Sequence, residues 1–233
     1  QIDTTNSVFI GDGAACHAQK PEQIAIGTSA AQSGVYRGVS IGYHASRMHT
    51  GRGSVAIGYR ALGSFNSGGG RNNIAIGCKA MSGNGTAGCE NVGIGECSLY
   101  VNQLGRQNTA VGGQSLRCII GISGNDGQSN TAFGYRAGAK TRSGNRNVYL
   151  GHKAGPSINN TTESNKLYIA NDEGYPLIGG NFLAPSVTIS GSLYVSESVE
   201  AKSFTGSFQG DGSGITGITV SAFPLNGDAI ITG

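Results

Sequence analysis

One short motif recurs along the first 170 residues of the chain, and its clearest copy is Ser54-Val55-Ala56-Ile57-Gly58-Tyr59-Arg60-Ala61. Nine copies share a glycine, here called the anchor glycine, and successive anchors lie 15 to 22 residues apart. The anchors are Gly11, Gly27, Gly42, Gly58, Gly77, Gly95, Gly112, Gly134 and Gly151. A tenth copy at residues 165–170 has lost the glycine. Such recurrence predicts a repeat protein in which each copy is one structural unit.

The three residues before each anchor have the pattern of a β-strand. In the clearest copy, Val55 and Ile57 are apolar and alternate with the small residue Ala56. Side chains at i and i+2 of a strand share one face, so the apolar pair lies opposite the small residue. A unit this short cannot bury its apolar row alone, and stacking on its neighbours solves this problem. The sequence therefore predicts an all-β fold, a parallel β-roll or β-solenoid of about ten repeats over residues 1–171.

Asparagine precedes the strand in the later copies. The residues concerned are Asn73, Asn91, Asn108, Asn130 and Asn147. Stacked identical amides can hydrogen-bond from one strand to the next. We therefore expect an asparagine ladder along the solenoid.

The repeat pattern stops after Asn171, and the texture of the sequence changes. We interpret residues 172–185 as a linker and residues 186–233 as a β-rich region of short strands, of the fibre-shaft type. Strands are predicted at residues 187–189, 192–195, 203–205 and 207–208, where apolar and polar residues alternate.

Charge and residue spacing argue against several classes of function. The net charge is +3 with no run of Lys or Arg, which does not indicate a nucleic-acid partner. No apolar stretch is long enough to predict membrane insertion. The five cysteines include no C-x-x-C pair, so we expect them in or near the core and predict no metal site. Glu90 and Glu96 flank one strand and are expected to be surface carboxylates. We predict no catalytic residues, no cofactor and no enzymatic activity.

Two families share these residues. The Ser54–Ala61 type of copy resembles the head repeats of trimeric autotransporter adhesins, which form a left-handed parallel β-roll wound as a trimer. The copies at residues 130–138 and 147–155, and the segment 199–215, look more like bacteriophage tail-fibre repeats. The resemblance implies a homotrimeric segment of a virion tail or head fibre, extracellular, with a structural or receptor-binding role in host attachment. Its partners would be other fibre or baseplate proteins and a host surface glycan or protein receptor.

Two other functions remain open at this stage. One is the head of a bacterial trimeric autotransporter adhesin, although neither a heptad stalk nor a membrane anchor is visible in the sequence. The other is a polysaccharide depolymerase of the tailspike class, since some tailspikes are solenoids that use paired carboxylates.

A trimer suggests a place for the small residue of each strand. If the Val and Ile side chains fill the roll, the small residues face a crowded three-fold axis. These candidates are Ala25, Ser40, Ala56, Ala75, Gly93, Ala110 and Ala132. Larger residues take this position only in the end copies, where Phe9, Tyr149 and Tyr168 would close or widen the roll.

The two residues after each anchor form a candidate surface for a receptor or glycan. Stacked copies would bring aromatic and basic groups into one ladder able to pack on sugar rings. Its members are Tyr43, His44, Tyr59, Arg60, Tyr135, Arg136, His152 and Lys153. The same pattern is typical of a solvated face with tyrosines covering the core, and the sequence alone favours this plainer interpretation.

Overall fold

The computed structural model describes residues 6–17, 21–33, 35–63, 70–83, 88–120, 126–158 and 162–196. These residues form fourteen β-strands and no helix, and all strands lie in the compact unit Gln1–Leu193. The strands are β1 Val8–Ile10, β2 Ile24–Ile26, β3 Val39–Ile41, β4 Val55–Ile57, β5 Ile74–Ile76, β6 Val92–Ile94, β7 Val101–Asn102, β8 Thr109–Val111, β9 Cys118–Ile119, β10 Thr131–Phe133, β11 Val148–Leu150, β12 Lys166–Ile169, β13 Ile178–Asn181 and β14 Ser186–Ile189.

Ten of these strands stack in parallel in the order β1-β2-β3-β4-β5-β6-β8-β10-β11-β12. Each strand is one copy of the repeat, and the register is the same residue for residue: Val55 pairs with Ile74, and Ile57 pairs with Ile76. A second pair, β7 and β9, is also parallel and lies elsewhere on the solenoid. The predicted all-β solenoid is therefore confirmed. We call one parallel strand with the turn that follows it a rung.

The anchor glycine is required by its backbone conformation and by the closeness of the next rung. All nine anchors have φ between 114° and 131°, which is unfavourable for residues with a side chain. A Cβ atom at Gly58 would lie 2.6 Å from the carbonyl oxygen of Gly77, so there is no room for one. The glycines recur because the chain turns sharply at the same position of every rung.

The small residue of each strand points into the chain's own core. Ala25, Ser40, Ala56, Ala75, Ala110 and Ala132 are each 0% exposed, and Gly93 is buried as well. The expected place of these seven residues at a three-fold axis is thus corrected, because a single chain already covers them. The core is thin. The small strand residue lies across it from the Ala or Ser that stands three residues after the anchor, and in the middle rungs a larger side chain stands four residues after the anchor. That fourth position holds Leu62, Met81, Leu99 and Leu116, all fully buried.

Tyr149 is the exception that explains two glycines. It takes the small-residue position of β11, yet it is 0% exposed. A Cβ atom at Gly138 would lie 2.7 Å from Cδ2 of Tyr149, and one at Gly155 would lie 3.4 Å from Cδ1. Both glycines occupy the fourth position after their anchors, where earlier rungs carry Leu or Met. The ring therefore fills the space that those side chains fill elsewhere, and its hydroxyl accepts a hydrogen bond of 2.7 Å from Oγ1 of Thr141.

The two other aromatic exceptions pack at the ends of the stack. Phe9 is partly buried against the alanines of the first rungs, and Tyr168 is partly buried against the main core. The ring of Tyr168 stacks on that of Tyr149 with 5.7 Å between centroids. Its hydroxyl donates to Oε2 of Glu163 at 2.7 Å. Burial and, to a smaller extent, this hydrogen bond raise the pKa of the Tyr168 hydroxyl.

The asparagine ladder is confirmed. Nδ2 of Asn91 donates to Oδ1 of Asn73 at 3.1 Å, and Nδ2 of Asn147 donates to Oδ1 of Asn130 at 3.0 Å. The same oxygens accept the backbone N–H of the next asparagine, as from Asn108 to Asn91 at 3.0 Å. Each buried amide thus bonds two rungs together, which satisfies polar groups that would otherwise be costly to bury.

The C-terminal edge of the parallel stack is covered by an antiparallel hairpin. Strand β13 pairs antiparallel with β12, and β14 pairs antiparallel with β13. Residues 172–185, which we expected to be a linker, therefore contribute a strand to the sheet. The strand predicted at residues 187–189 is present within β14, whereas residues 192–195 form no strand. The strands predicted at 203–205 and 207–208 lie outside the described residues.

Candidate functional site

The residues directly after the anchors lie at an outer corner of the solenoid. The second residue after the anchor has a positive φ in rung after rung, for example 56° at His44, 54° at Arg60 and 57° at Arg136. This left-handed conformation turns the chain so that the third residue enters the core. The first residue stays outside, and we call this series the corner row. Its members from β3 to β11 are Tyr43, Tyr59, Cys78, Glu96, Gly113, Tyr135 and His152.

Backbone hydrogen bonds hold the corner row in register. The N–H of Arg60 donates to the carbonyl of Tyr43 at 2.9 Å, and the N–H of Lys79 donates to the carbonyl of Tyr59 at 2.8 Å. The pattern repeats further along, where Lys153 donates to Tyr135 at 2.7 Å. Because the backbone is fixed in this way, the side chains of successive rungs stand one above the other.

The first part of the row forms a group that we call the Tyr43 cluster, consisting of Tyr43, His44, Arg47, Tyr59 and Arg60. The two tyrosine rings are parallel within 5°, with 5.5 Å between centroids. They remain 47% and 45% exposed. The imidazole of His44 stacks on Tyr43 at 3.9 Å, and the guanidinium carbon of Arg60 lies 6.0 Å from the centroid of the Tyr59 ring. Each ring thus has a nitrogen-bearing side chain of its own rung over one face.

The Tyr43 cluster is electropositive. The pKa of His44 is lowered, first by partial desolvation and then by the positive charges of Arg47 and Arg60. Arg47 is oriented by a neutral partner, because its Nε donates to Oε1 of Gln32 at 2.7 Å. The field at this corner therefore favours an anion over another cation.

A second group, the Tyr135 cluster, consists of Tyr135, Arg136, His152 and Lys153. The rings of Tyr135 and His152 stack with 5.7 Å between centroids and 15° between planes. Tyr135 is 47% exposed, and its ring lies over Gly113 of the preceding rung, since a Cβ atom there would be 3.3 Å from Cδ2. Nδ1 of His152 lies 3.4 Å from the carbonyl oxygen of Asn171.

The predicted ladder is therefore present as two clusters rather than as one continuous row. Between them the corner row carries Cys78, Glu96 and Gly113, which supply no aromatic ring. Five rung steps separate β3 from β10. At about 4.8 Å per step, the clusters lie roughly 24 Å apart.

A second surface was not predicted from the sequence, because the Val and Ile side chains of the strands were expected inside the roll. They face outward, and we call this the outer sheet face: the first and third residues of β1 to β6, β8, β10 and β11. Ile10 is 54% exposed and Phe133 is 46% exposed, and no member of the face is buried. The result is two apolar rows along the parallel sheet with no covering element among the described residues.

The cysteines and the carboxylates that the structure describes form no cluster of ligands. Cys16 and Cys78 are exposed, which corrects their expected place in or near the core, and the other three cysteines are partly buried. Glu90 and Glu96 are exposed, and Oε2 of Glu90 accepts a hydrogen bond of 3.1 Å from Nε2 of Gln107. In the described ranges, no group of three potential metal ligands is found.

Comparison of the chain with protein-family models, with curated proteins and with solved structures finds no match. The part of the chain that the structure describes contains no helix long and apolar enough to cross a bilayer.

Proposed function

We propose that this chain is a rigid, non-enzymatic, homotrimeric segment of a bacteriophage virion fibre, in the tail or head, that takes part in host attachment. The observation that carries the proposal is the outer sheet face. A parallel sheet is ordinarily covered on both faces, and here the described chain covers only one. A contiguous apolar surface of this kind marks an interaction site.

A second copy of the same chain fits this face better than an unrelated partner. The face consists of rows of Ile and Val repeated at each rung, for example Ile41, Ile57 and Ile76 on successive strands. An identical chain carries the same rows at the same spacing, so apolar side chains can interdigitate along the full length. Closed symmetric assemblies of identical chains are the commonest oligomers, and the resemblance to fibre and adhesin repeats favours three chains.

The asparagine ladder and the glycine corners support the role of a rigid spacer. They connect every rung to the next through buried hydrogen bonds, such as Asn130 to Asn108 at 3.1 Å. Buried polar networks that are fully satisfied make a structure rigid. A fibre needs this stiffness to hold a receptor-binding surface away from the particle.

The first test is the molar mass of the native protein by light scattering. We expect three times 23.6 kDa. Replacing Ile57 and Ile76 by Glu places charges at the centre of the outer sheet face and should yield monomers. A matched variant with Tyr175→Glu and Leu183→Glu introduces the same charge at two strongly exposed residues outside that face and should remain trimeric. A monomeric unmodified protein, or a trimer unaffected by the Ile57 and Ile76 changes, would contradict the proposal.

The second test concerns the virion. Gold-labelled antibodies against this chain should decorate fibres of phage particles from a lysate of the source phage. Purified protein should also compete with those particles for adsorption to host cells. Labelling of the bacterial surface in cells without phage would instead favour an adhesin. Release of oligosaccharides from host capsule by the purified protein would favour a depolymerase.

A further inference from the structure

Two cysteines of neighbouring rungs come together at the corner between the Tyr43 and Tyr135 clusters. Cys78 directly follows the anchor of β5, and Cys97 is the second residue after the anchor of β6. The two strands pair in register, with Ile76 opposite Ile94, so the cysteines are diagonal neighbours across one rung step. The corner row carries no aromatic residue in these two rungs, and ring stacking therefore does not connect them.

A backbone hydrogen bond sets the distance between the two cysteines. The N–H of Cys97 donates to the carbonyl oxygen of Cys78 at 2.9 Å. With standard bond lengths on either side, this contact keeps the two Cα atoms no more than about 7 Å apart. Disulfides span Cα separations of about 4.4 to 6.8 Å, so the backbone already stands at bonding separation.

The side chains of the pair are also within reach of each other and of a reagent in solution. Both residues are thiols in the structure, Cys78 exposed and Cys97 partly buried. Burial, then the carboxylate of Glu96, raise the pKa of the Cys97 thiol, and the neighbouring Cys78 thiol adds to this rise, whereas Arg117 and Lys79 oppose it. The exposed Cys78 is thus the thiol that a reagent meets first, and Cys97 is its nearby partner.

We infer that Cys78 and Cys97 form a disulfide bond that joins the rungs of β5 and β6 when the protein meets a disulfide oxidant such as oxidised glutathione. The thiolate of Cys78 attacks one sulfur of the oxidant and releases one glutathione thiolate. The thiolate of Cys97 then attacks the Cys78 sulfur of the mixed disulfide and releases the second glutathione. Two protein thiols are oxidised, one glutathione disulfide is reduced, and the two thiol protons pass through solvent to the released thiolates.

The bond distinguishes the protein outside a cell from the protein inside it. Disulfides persist in oxidising surroundings, whereas the cytosol keeps thiols reduced. On an extracellular fibre, the bond therefore forms once the particle has left the cell. This timing rests on the proposed function, while the formation of the bond in purified protein does not.

The experiment is disulfide mapping of the full chain by mass spectrometry. The protein is reduced, freed of reductant, incubated with oxidised and reduced glutathione, alkylated with iodoacetamide and digested with trypsin. Trypsin places Cys78 in peptide 72–79 and Cys97 in peptide 80–106. We expect the two peptides to be joined, with the mass of two hydrogen atoms missing from their sum. Alkylation of both cysteines after this treatment, or glutathione retained on Cys78, would overturn the inference.

Variants identify the partner of Cys78, because peptide 80–106 also contains Cys89. Cys89→Ser should retain the joined peptides, and Cys97→Ser should lose them. Cys118→Ser removes a cysteine outside both peptides and should leave the joined pair unchanged. Joined peptides that persist in Cys97→Ser and disappear in Cys89→Ser would contradict the assignment, as would a dimer of chains on a non-reducing gel that disappears in Cys78→Ser.

Thermal unfolding measures what the bond does to the fold. A covalent link between neighbouring rungs should raise the midpoint of the oxidised protein by about 5 to 10 °C over the reduced protein. Cys97→Ser should show no such difference, and equal midpoints in the unmodified protein would overturn the role of the bond as a clamp. Light scattering separates this inference from the one on assembly. A monomer that forms the bond sinks only the trimer, and a trimer whose two thiols remain open to alkylation sinks only the disulfide.

Discussion

Asn130 donates two hydrogen bonds to one oxygen atom of Asn108. Its side-chain Nδ2 lies 3.1 Å from Oδ1 of Asn108, and its backbone nitrogen lies 2.9 Å from the same oxygen. Nδ2 of Asn108 in turn donates to the carbonyl oxygen of Gly127 at 2.7 Å. One buried amide therefore satisfies backbone and side-chain groups of the neighbouring rung at the same time.

Asn108→Ala should destabilise the protein strongly. The change removes the acceptor of the buried backbone N–H of Asn130 and of one of its two amide N–H groups, while Nδ2 keeps its hydrogen bond of 2.8 Å to the carbonyl oxygen of Gly144. Each buried group left without a partner costs about 1 to 3 kcal/mol. We expect the free energy of unfolding, measured by denaturant titration, to fall by about 2 to 4 kcal/mol. Gln103→Ala removes an amide outside the ladder and should change it by less than about 0.5 kcal/mol. Equal effects of the two changes would show that the ladder contributes little.

His49 should make stability depend on pH in acid. The imidazole is 1% exposed, and burial lowers its pKa to about 4, while the backbone of Gly70 opposes this shift to a smaller extent. The folded state thus binds the proton less readily than the unfolded state, whose histidine has a pKa of 6.5. Stability from this group is complete above pH 6.5, decreases as the pH falls towards 4, and changes little below that.

The loss expected from His49 is at most about 3 kcal/mol. Thermal unfolding of the unmodified protein and of His49→Gln between pH 7 and pH 4 measures it. The stability of His49→Gln should not show this decrease between pH 7 and pH 4, because the glutamine amide does not titrate. His17→Gln replaces an exposed histidine and should retain the decrease. A decrease of the same size in His49→Gln would assign the effect to other groups.

The anchor glycines should tolerate no side chain. Gly77 has a φ of 131°, and a Cβ atom there would lie 2.6 Å from the carbonyl oxygen of Gly95. Backbone strain of this kind alone costs about 1 to 3 kcal/mol, and the contact with rigid backbone adds to it. Gly77→Ala should therefore lower the free energy of unfolding by more than about 3 kcal/mol. Gly113→Ala meets only the movable ring of Tyr135 at 3.3 Å and should cost much less.

Tyr149 and Gly138 should be coupled in a double-mutant cycle. Tyr149→Ala leaves a cavity and should cost about 3 to 5 kcal/mol. Gly138→Leu alone should also destabilise, because its Cβ atom already meets the Tyr149 ring at 2.7 Å. Together the two changes recreate the equivalent pair one rung earlier, Leu116 and Ala132.

The double variant should accordingly be more stable than the sum of the single changes by at least about 1 kcal/mol, a coupling measurable by denaturant titration. The backbone at Gly138 has a φ of 62°, and Leu116 adopts a φ of 41° at the equivalent position. Leucine is thus compatible with this backbone. Additive effects would mean that the ring does not occupy the space of the missing leucine.

The sequence predicted the strands, their order and the asparagine ladder because these follow from local spacing. It did not predict which face of the strand is inside. A period of two shows that Val55 and Ile57 share a face, and it contains no information about which face meets the core. The thickness of the rung decides this, and a thin rung has room only for Ala56 inside.

A signal for the true interior was present in the sequence. Four residues after the anchor, the middle rungs carry Leu62, Met81, Leu99 and Leu116, which are more apolar than the residues on either side of them. Among the described residues, twenty-four other than glycine have a positive φ, including these four, and none of the twenty-four is β-branched. β-Branched residues therefore indicate the strands, and residues that are not branched at Cβ indicate the corners, so the two types together predict the path of the chain around each rung.

The candidate site could be predicted only in part. The spacing identified the corner positions, but the stacking of Tyr43 on Tyr59 depends on the register of two rungs. The contribution of Arg47 could not be found from the repeat, because it lies outside the motif and reaches the corner through its contact with Gln32.

The identical register of neighbouring strands makes the repeats interchangeable. Val39 on Val55 and Val55 on Ile74 are the same contact, although the anchors of these rungs are separated by 16 and 19 residues. Duplication or loss of one copy would change the length of the stack by one step of about 4.8 Å and leave every remaining contact in place. The loops can meanwhile grow or shrink without affecting that step. Evolution can therefore adjust reach and surface decoration of this molecule independently, the first by whole units and the second residue by residue.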